Sequence, residues 1–273
     1  MNDFCLVCNI NGKAQHQYDV VFEQHKSHNQ RILGDDGLCV YTKGIPTSQP
    51  KEISEREKVE EFSYLSKVYS IFDCIDEYNP EYVVWIDATL KIGASFVNRS
   101  KQIMDDNGHM ILSNNETGGE FSSSDRFFRC IDEDRNTFQL PHIVGGVFGI
   151  KTSDYRGKHF LEELKCYSKE LDMWFGPHGF PWEDPLYSVC GTPKLSLDKR
   201  VKGHRHDQSV IGYIAKKNNM KLHDNKSNPI FYSSSYIREQ YLKDPTRDSY
   251  PFPADAAVTH HPTEAHLNGT LLR

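Results

Sequence analysis

Glu81 to Ile92 reads EYVVWIDATLKI, an apolar run that ends on one carboxylate, Asp87. Tyr82 to Ile86 shows no alternation of polar and apolar residues, so it suits a strand buried on both faces, as in a parallel α/β sheet. Ligands of such sheets gather beyond the carboxyl ends of the strands, which makes Asp87 the first candidate functional residue. The alternative is that Asp87 braces the turn that follows.

Regular elements can be laid out on either side of that stretch. Phe4 to Ile10 (FCLVCNI) reads as a first strand followed by a polar loop, Asn11 to Gln17; Leu38 to Thr42 (LCVYT) reads as a second. Residues 44–53 read as a loop. Ser54-Glu55-Arg56-Glu57 has the form of a capping box, and Val59, Phe62, Leu65, Tyr69, Phe72 and Ile75 recur at helical spacing. A long helix is therefore expected from Ser54 to the Asn79-Pro80 stop. Strand, helix and strand in that order call for a right-handed crossover and parallel pairing.

Downstream, His109 to Ser113 reads as a strand, and Asn114 to Asp125 as a loop, either plain linker or a lid over a ligand. Ile143 to Ile150 (IVGGVFGI) is strand-like, and its Gly145-Gly146 pair marks a bulge or a close approach of a ligand to the backbone. Ser153 can cap a helix with Phe160, Leu161, Leu164, Tyr167 and Leu171 on one face. Asp172 to Gly203, with Trp174, Trp182 and several prolines, reads as an ordered irregular loop able to form a pocket wall. Helical periodicity returns over Asp207 to Asn218, and the polar remainder from Lys221 is expected to wrap the domain.

Composition narrows the function classes. The 273 residues suffice for one large core, and a net charge of -6 gives no general basic field, which argues against a nucleic-acid partner. A local basic pocket or a metal could still hold a small anion. No run of about 18 apolar residues is present, which leaves no integral membrane segment, and MNDFCLVCNING lacks the pattern of a signal peptide. A cytoplasmic location is the resulting expectation. The seven cysteines are scattered and odd in number, so they read as reduced thiols. Cys5 and Cys8 have the spacing of a redox or zinc pair, without a second pair to complete it.

Three polar groups fall at the edges of expected elements: Asp87, the cluster Gly203-His204-Arg205-His206-Asp207-Gln208, and Val258-Thr259-His260-His261. Carboxylate and imidazole together can hold Mn²⁺ or Mg²⁺ and leave coordination positions for phosphate oxygens, a combination that fits a bound diphosphate. Each also has a structural alternative: Asp207 as a helix N-cap, the histidines as exposed imidazoles, Asp87 as an acid without a second acid beside it.

A strand ending WIDA, a strand with a Gly-Gly pair, an aromatic loop, H-x-H-D-Q at a helix start and a late His pair, in that order, resemble the glycosyltransferases of the GT-A fold. The resemblance is to small families in which WIDA replaces the more familiar Asp-x-Asp; Thr89 stands where many relatives have Asp. It implies a single GT-A-like, Rossmann-like α/β domain over residues 1–273, with a mostly parallel central sheet, helices on both faces and a long irregular C-terminal part. Residues 4–113 would be the nucleotide-binding half, 114–261 the acceptor and sugar half, and 262–273 a tail. The implied partners are a nucleotide-diphosphate sugar donor and a glycan or protein-linked glycan acceptor, with transfer of a hexose or pentose.

Carried over to this sequence, the resemblance implies that Asp87 binds the metal or the donor's ribose and diphosphate, with His260 or His261 as the late metal ligand. Asp207 and Gln208 would face the transferred sugar, His206 would belong to the same donor site, and Lys67 would reach the nucleotide or phosphates. Asn9, Ile10, Tyr41 and Thr42 hold the strand-end positions for base and ribose, with Gly145 and Gly146 near the donor. Asp207, Glu183 and Asp184 are the candidates for a base toward the acceptor hydroxyl. Two other classes stay open: a metal-dependent phosphohydrolase built on His206-Asp207, and a non-catalytic glycan-binding module using Trp174 and Trp182 as platforms.

Overall fold

A computed structural model describes residues 3–10, 15–35, 37–59, 64–88, 90–113, 118–176, 196, 198–201, 203–225, 227–228, 230–232 and 258–260. Phe4–Ile10 forms β1, Gln15–Leu33 α1, Gly37–Lys43 β2, Lys51–Val59 α2, Leu65–Tyr78 α3 and Tyr82–Ile86 β3. Leu90–Ile92 is β4, Phe96–Asn107 α4, His109–Ser113 β5, Asp125–Ile131 α5, Ile143–Lys151 β6 and Tyr155–Tyr167 α6. Leu171–Trp174 is α7 and His206–Lys217 α8, followed by the short strands β7 (His223–Asp224), β8 (Phe231–Tyr232) and β9 (Val258–His260).

The central sheet has six strands in the order β2-β1-β3-β6-β5-β7. β1 runs parallel to both β2 and β3, and β5 parallel to β7, while β6 runs against its two neighbours. The mostly parallel α/β sheet expected from the sequence is therefore the one found, with helices on both faces. Strand alternation sorts the side chains between two cores. Cys5, Val7, Val83 and Trp85 face α3, α6 and α8, whereas Phe4, Leu6, Cys8, Val84 and Ile86 face α1 and α4. Cys5 and Cys8 consequently lie on opposite faces, and their spacing builds no shared redox or metal site.

A second, three-stranded sheet, β4-β9-β8, flanks the first. Its β4 follows Asp87 directly, and β9 pairs antiparallel to it with Leu90 opposite His260. α1 lies along the same strand. His25 Nδ1 donates to the Ala88 carbonyl at 2.8 Å, and Asn29 Oδ1 accepts from the Ile92 N–H at 2.9 Å. Asn29 Nδ2 and His28 Nε2 add bonds to the carbonyls of Leu90 and Ile92. Polar side chains of α1 thus satisfy β4 backbone groups that a further strand would otherwise pair.

The structure revises several local expectations. Helix α1 was not anticipated, and Gln15 to Gln17 open it instead of completing a loop; residues 11–14 lie outside the described residues. Ser54 stands inside α2, which begins at Lys51 just after Pro50, so it makes no capping box; a proline there ends the preceding loop and presets the helix entry. The single long helix is two, because Tyr64 takes a left-handed conformation (φ 57°) immediately before α3. The buried face of α3 centres on Leu65, Val68, Ile71 and Cys74, with Phe72 and Ile75 packed at its margin. Phe62 lies outside the described residues.

Within the supposed loop at 114–125, Gly119–Ser122 forms a 3-10 turn, and α5 starts at Asp125 with Ser124 Oγ accepting from Phe127 N–H. The cap of α6 is Asp154 rather than Ser153, its carboxylate accepting from Arg156 N–H at 2.8 Å. The hydrogen bond from the Arg156 side chain, with that from its N–H, holds this carboxyl down to about 2. Leu171, expected on the α6 face, belongs to α7.

Candidate active site

β1 lies between β2 and β3, so the chain moves from β1 to one side for β2 and returns across β1 for β3. Such a reversal leaves a crevice at the carboxyl ends of the two diverging strands. The pairing of β1 with β3 stops at Val7 and Trp85, while its pairing with β2 continues to Ile10 and Lys43. Asp87 follows β3 at this opening, and Asn9 stands at the end of β1.

Lys67, near the start of α3, is brought to the same point. Its side chain is 4% exposed, and Nζ lies 2.6 Å from Asp207 Oδ2, 3.3 Å from Asp87 Oδ1 and 2.8 Å from the Gly145 carbonyl. Asp207 sits in the first turn of α8, where negative charge is favoured, and its carboxylate accepts from Gln208 N–H; the N-cap position itself is Arg205, without a side-chain cap bond. Asp87 keeps 43% of its side chain exposed, and its Oδ1 also accepts from the Trp85 indole N–H at 2.9 Å. A buried ammonium therefore joins two acids from different segments, one buried and one facing solvent.

The electrostatics follow from that burial. Desolvation works against the charged Lys67, but the attraction of Asp207 and then Asp87 outweighs it and holds the ammonium above its ordinary value. Burial pushes Asp207 up from the ordinary carboxylate range, with Lys67 pulling in the opposite direction. Asp87, at the longer distance and 43% exposed, is the more screened of the two partners.

Gly145 and Gly146 make this approach possible. Ile143 and Phe148 face the same core in spite of their odd separation, and the β5 partner register shifts between Ile111 and Ser113, so β6 is bulged at the glycine pair. A Cβ on Gly145 would stand 2.7 Å from Gln208 Cγ and 3.0 Å from Asp207 Oδ2. The close neighbour is thus the start of α8, which seats Asp207 against Lys67. The Gly146 carbonyl accepts from Asp87 N–H at 2.9 Å and fixes the turn after β3.

Comparison with known proteins adds a likeness in shape. No family model and no curated protein matches this sequence. Among solved structures, the chain is similar to a glycosyltransferase involved in glycosylation of the major capsid of PBCV-1 (12% identity, 99% of each chain covered, TM-score 0.41). It is also similar to the galactosyltransferase LgtC with donor and acceptor sugar analogues (11% identity, 96% of this chain and 88% of that one, TM-score 0.48). Mouse xyloside xylosyltransferase 1 is a third (13% identity, 96% and 98%, TM-score 0.45). Likeness at this level says nothing of substrate or chemistry, which rest on the side chains.

Other expected residues fall around the crevice or away from it. Asn9 Nδ2 donates to Thr42 Oγ1 at 2.8 Å and to the Gly44 carbonyl at 3.1 Å, and its buried Oδ1 has no hydrogen-bond partner among the described residues. Ile10 is buried in the core beside α1. Tyr41 is buried as well, its hydroxyl accepting from Asn29 at 2.6 Å, so it faces α1. His206 Nδ1 lies 2.6 Å from the Trp174 carbonyl and its ring meets that of His204 edge-on, bracing the joint between α7 and α8. His260 is placed by backbone alone, opposite Leu90. Glu183, Asp184, His261, Thr89 and Trp182 lie outside the described residues.

Two competing classes lose ground here. A helical phosphohydrolase bundle does not accommodate a six-stranded sheet, and Trp174, 0% exposed, cannot serve as a sugar platform. No described helix is long and apolar enough to cross a membrane. Sequence reasoning missed the α1 clamp on β4, although polar residues at helical spacing, His25, His28 and Asn29, are its signal. It also missed Tyr64, for which the sequence offered none.

Proposed function

We propose that the chain is a nucleotide-sugar-dependent glycosyltransferase, moving a hexose or pentose from a nucleoside diphosphate to a carbohydrate acceptor. The observation that carries this reading is the meeting of Asp87, Lys67 and Asp207 at the crevice between β1 and β3. Asp87 faces the diphosphate, Asp207 and Gln208 face the transferred sugar, and Asn9 and Thr42 face base and ribose. The half spanning 4–113 would hold the nucleotide, and 114–261 the sugar and acceptor. In the reaction the bond from the anomeric carbon to the diphosphate breaks, a bond to the acceptor oxygen forms, and the acceptor's proton passes to a base. Asp207, Glu183 and Asp184 are the proposed bases for an inverting route.

An imidazole from the β9 end beside the Asp87 carboxylate would suit a hard divalent cation. Among the described residues no group of three His, Cys, Asp or Glu is placed to hold one, but Asp87 presents a solvent-facing carboxylate and β9 lays the His260 backbone against β4. Asp87 with His260 or His261, completed by phosphate oxygens, would hold Mn²⁺ or Mg²⁺. Such an ion neutralises the charge that grows on a departing diphosphate. Lys67 supplies a fixed positive charge at the same place and holds Asp207 in position.

Thermal denaturation tests the reading. Uridine or guanosine diphosphate, or a sugar ester of either, with Mn²⁺ at a hundredfold its Kd, should add about 2.7 kcal/mol and raise Tm by several degrees. No rise with any of these ligands would remove the transferase reading.

A further inference from the structure

Tyr64 lies at the mouth of the Lys67 cluster, in a conformation its own side chain disfavours. It holds φ 57° and ψ 13° directly before α3, makes no side-chain cap, and serves the helix through its carbonyl, which accepts from Lys67 N–H at 3.1 Å. A bulky residue is an outlier in the left-handed region, where glycine or asparagine fits the same backbone more easily.

Two contacts of the Tyr64 ring lie beside the Lys67 cluster. The Tyr64 ring centroid is 5.3 Å from that of His206, and Lys67 Nζ lies 5.5 Å from the Tyr64 ring. His206 is itself held at φ 31°, so two strained residues meet beside Asp207. The residue is 37% exposed, in a protein where most large apolar side chains of the described chain are buried. Sugar rings carry apolar C–H faces as well as hydroxyls, and sites that hold them pair an aromatic wall with a few polar groups. Asp207, Gln208 and Asp87 supply the polar groups, and Tyr64 stands where the wall would be.

We propose that Tyr64 is the platform on which the transferred sugar of the donor rests, a specificity-determining residue that separates a nucleotide sugar from the bare nucleotide. This rests on the transferase reading and refines it. The test uses the full chain with Tyr64→Asn and Tyr64→Phe, titrated calorimetrically with uridine and guanosine diphosphate and with UDP-glucose, UDP-galactose and GDP-mannose. Tyr64→Asn should bind the preferred nucleotide sugar about tenfold more weakly, yet keep its affinity for the bare diphosphate within about twofold. Tyr64→Phe should bind both as the wild type does. The melting temperature of Tyr64→Asn should equal or exceed that of the wild type, because asparagine relieves the left-handed backbone.

Unchanged nucleotide-sugar affinity in Tyr64→Asn, or an equal loss for sugar and bare diphosphate, overturns the platform while leaving the transferase reading intact. A wild-type chain that binds neither class of ligand removes both.

Discussion

Lys67→Met is expected to lower the unfolding free energy by about 3–5 kcal/mol at pH 7, the range for breaking a buried ion pair by removing one partner. Asp207, 5% exposed, would keep its charge and lose the ammonium 2.6 Å away. Folded domains are stable by only about 5–15 kcal/mol, so urea denaturation should show an obvious shift of the midpoint. Asp87 cannot take the place of the ammonium, because its own negative charge works against that of Asp207.

The sign of the pH dependence follows from the same burial. Without Lys67, the Asp207 carboxyl is raised further above its ordinary value, so the folded variant takes up a proton more readily than its unfolded chain. The deficit should therefore shrink as pH falls through that raised value and level off below the ordinary carboxylate range. Adding Asp207→Leu to Lys67→Met should recover much of the stability, a non-additivity that marks direct contact. A loss under about 1 kcal/mol, with the two substitutions additive, would mean that the pair is solvated.

Under the proposed transferase function, Asp207→Asn is expected to reduce the turnover of sugar transfer by about 10²–10³ while leaving the affinity for the nucleoside diphosphate within a few-fold. Glycosyl transfer develops positive charge at the anomeric carbon, and a buried carboxylate beside it acts in a medium where fixed charges are strong. Asparagine keeps the shape and removes the charge, and Lys67 retains the Gly145 carbonyl and Asp87 as partners. Release of nucleoside diphosphate from the sugar nucleotide gives the rate, and calorimetry gives the affinity. Turnover close to that of the wild type would take Asp207 out of the chemistry.

The strands were the most legible part of the sequence because β1, β3, β5 and β6 are buried on both faces and read as apolar runs. α8 was legible for a related reason, its Val210, Ile211 and Ile214 facing one core. α1 was not, since the face it turns toward β4 is built from His25, His28 and Asn29, which bond to backbone instead of packing as an apolar stripe. The break before α3 was hidden because apolar residues keep helical spacing across it, and spacing does not register a left-handed turn at one tyrosine.

In the candidate site, Asp87 was visible as an acid at a strand end, and Asp207 as an acid at a helix start. Their connection was not. Lys67 was expected to reach the nucleotide or phosphates; in the described chain its ammonium lies against the two acids, and a pairing so far apart in sequence leaves no local pattern. The glycine pair was legible as a bulge; that the bulge admits the start of α8 required the fold.

The most direct measurement is a calorimetric titration of the full chain with uridine and guanosine diphosphates in the presence of Mn²⁺, beside the Asp87→Asn variant. The account predicts saturable binding of one of them by the wild-type chain and at least about tenfold weaker binding by the variant, since one charge-assisted contact to the bound ion is worth that much. Absence of binding by either diphosphate, or equal affinity in wild type and variant, would contradict it.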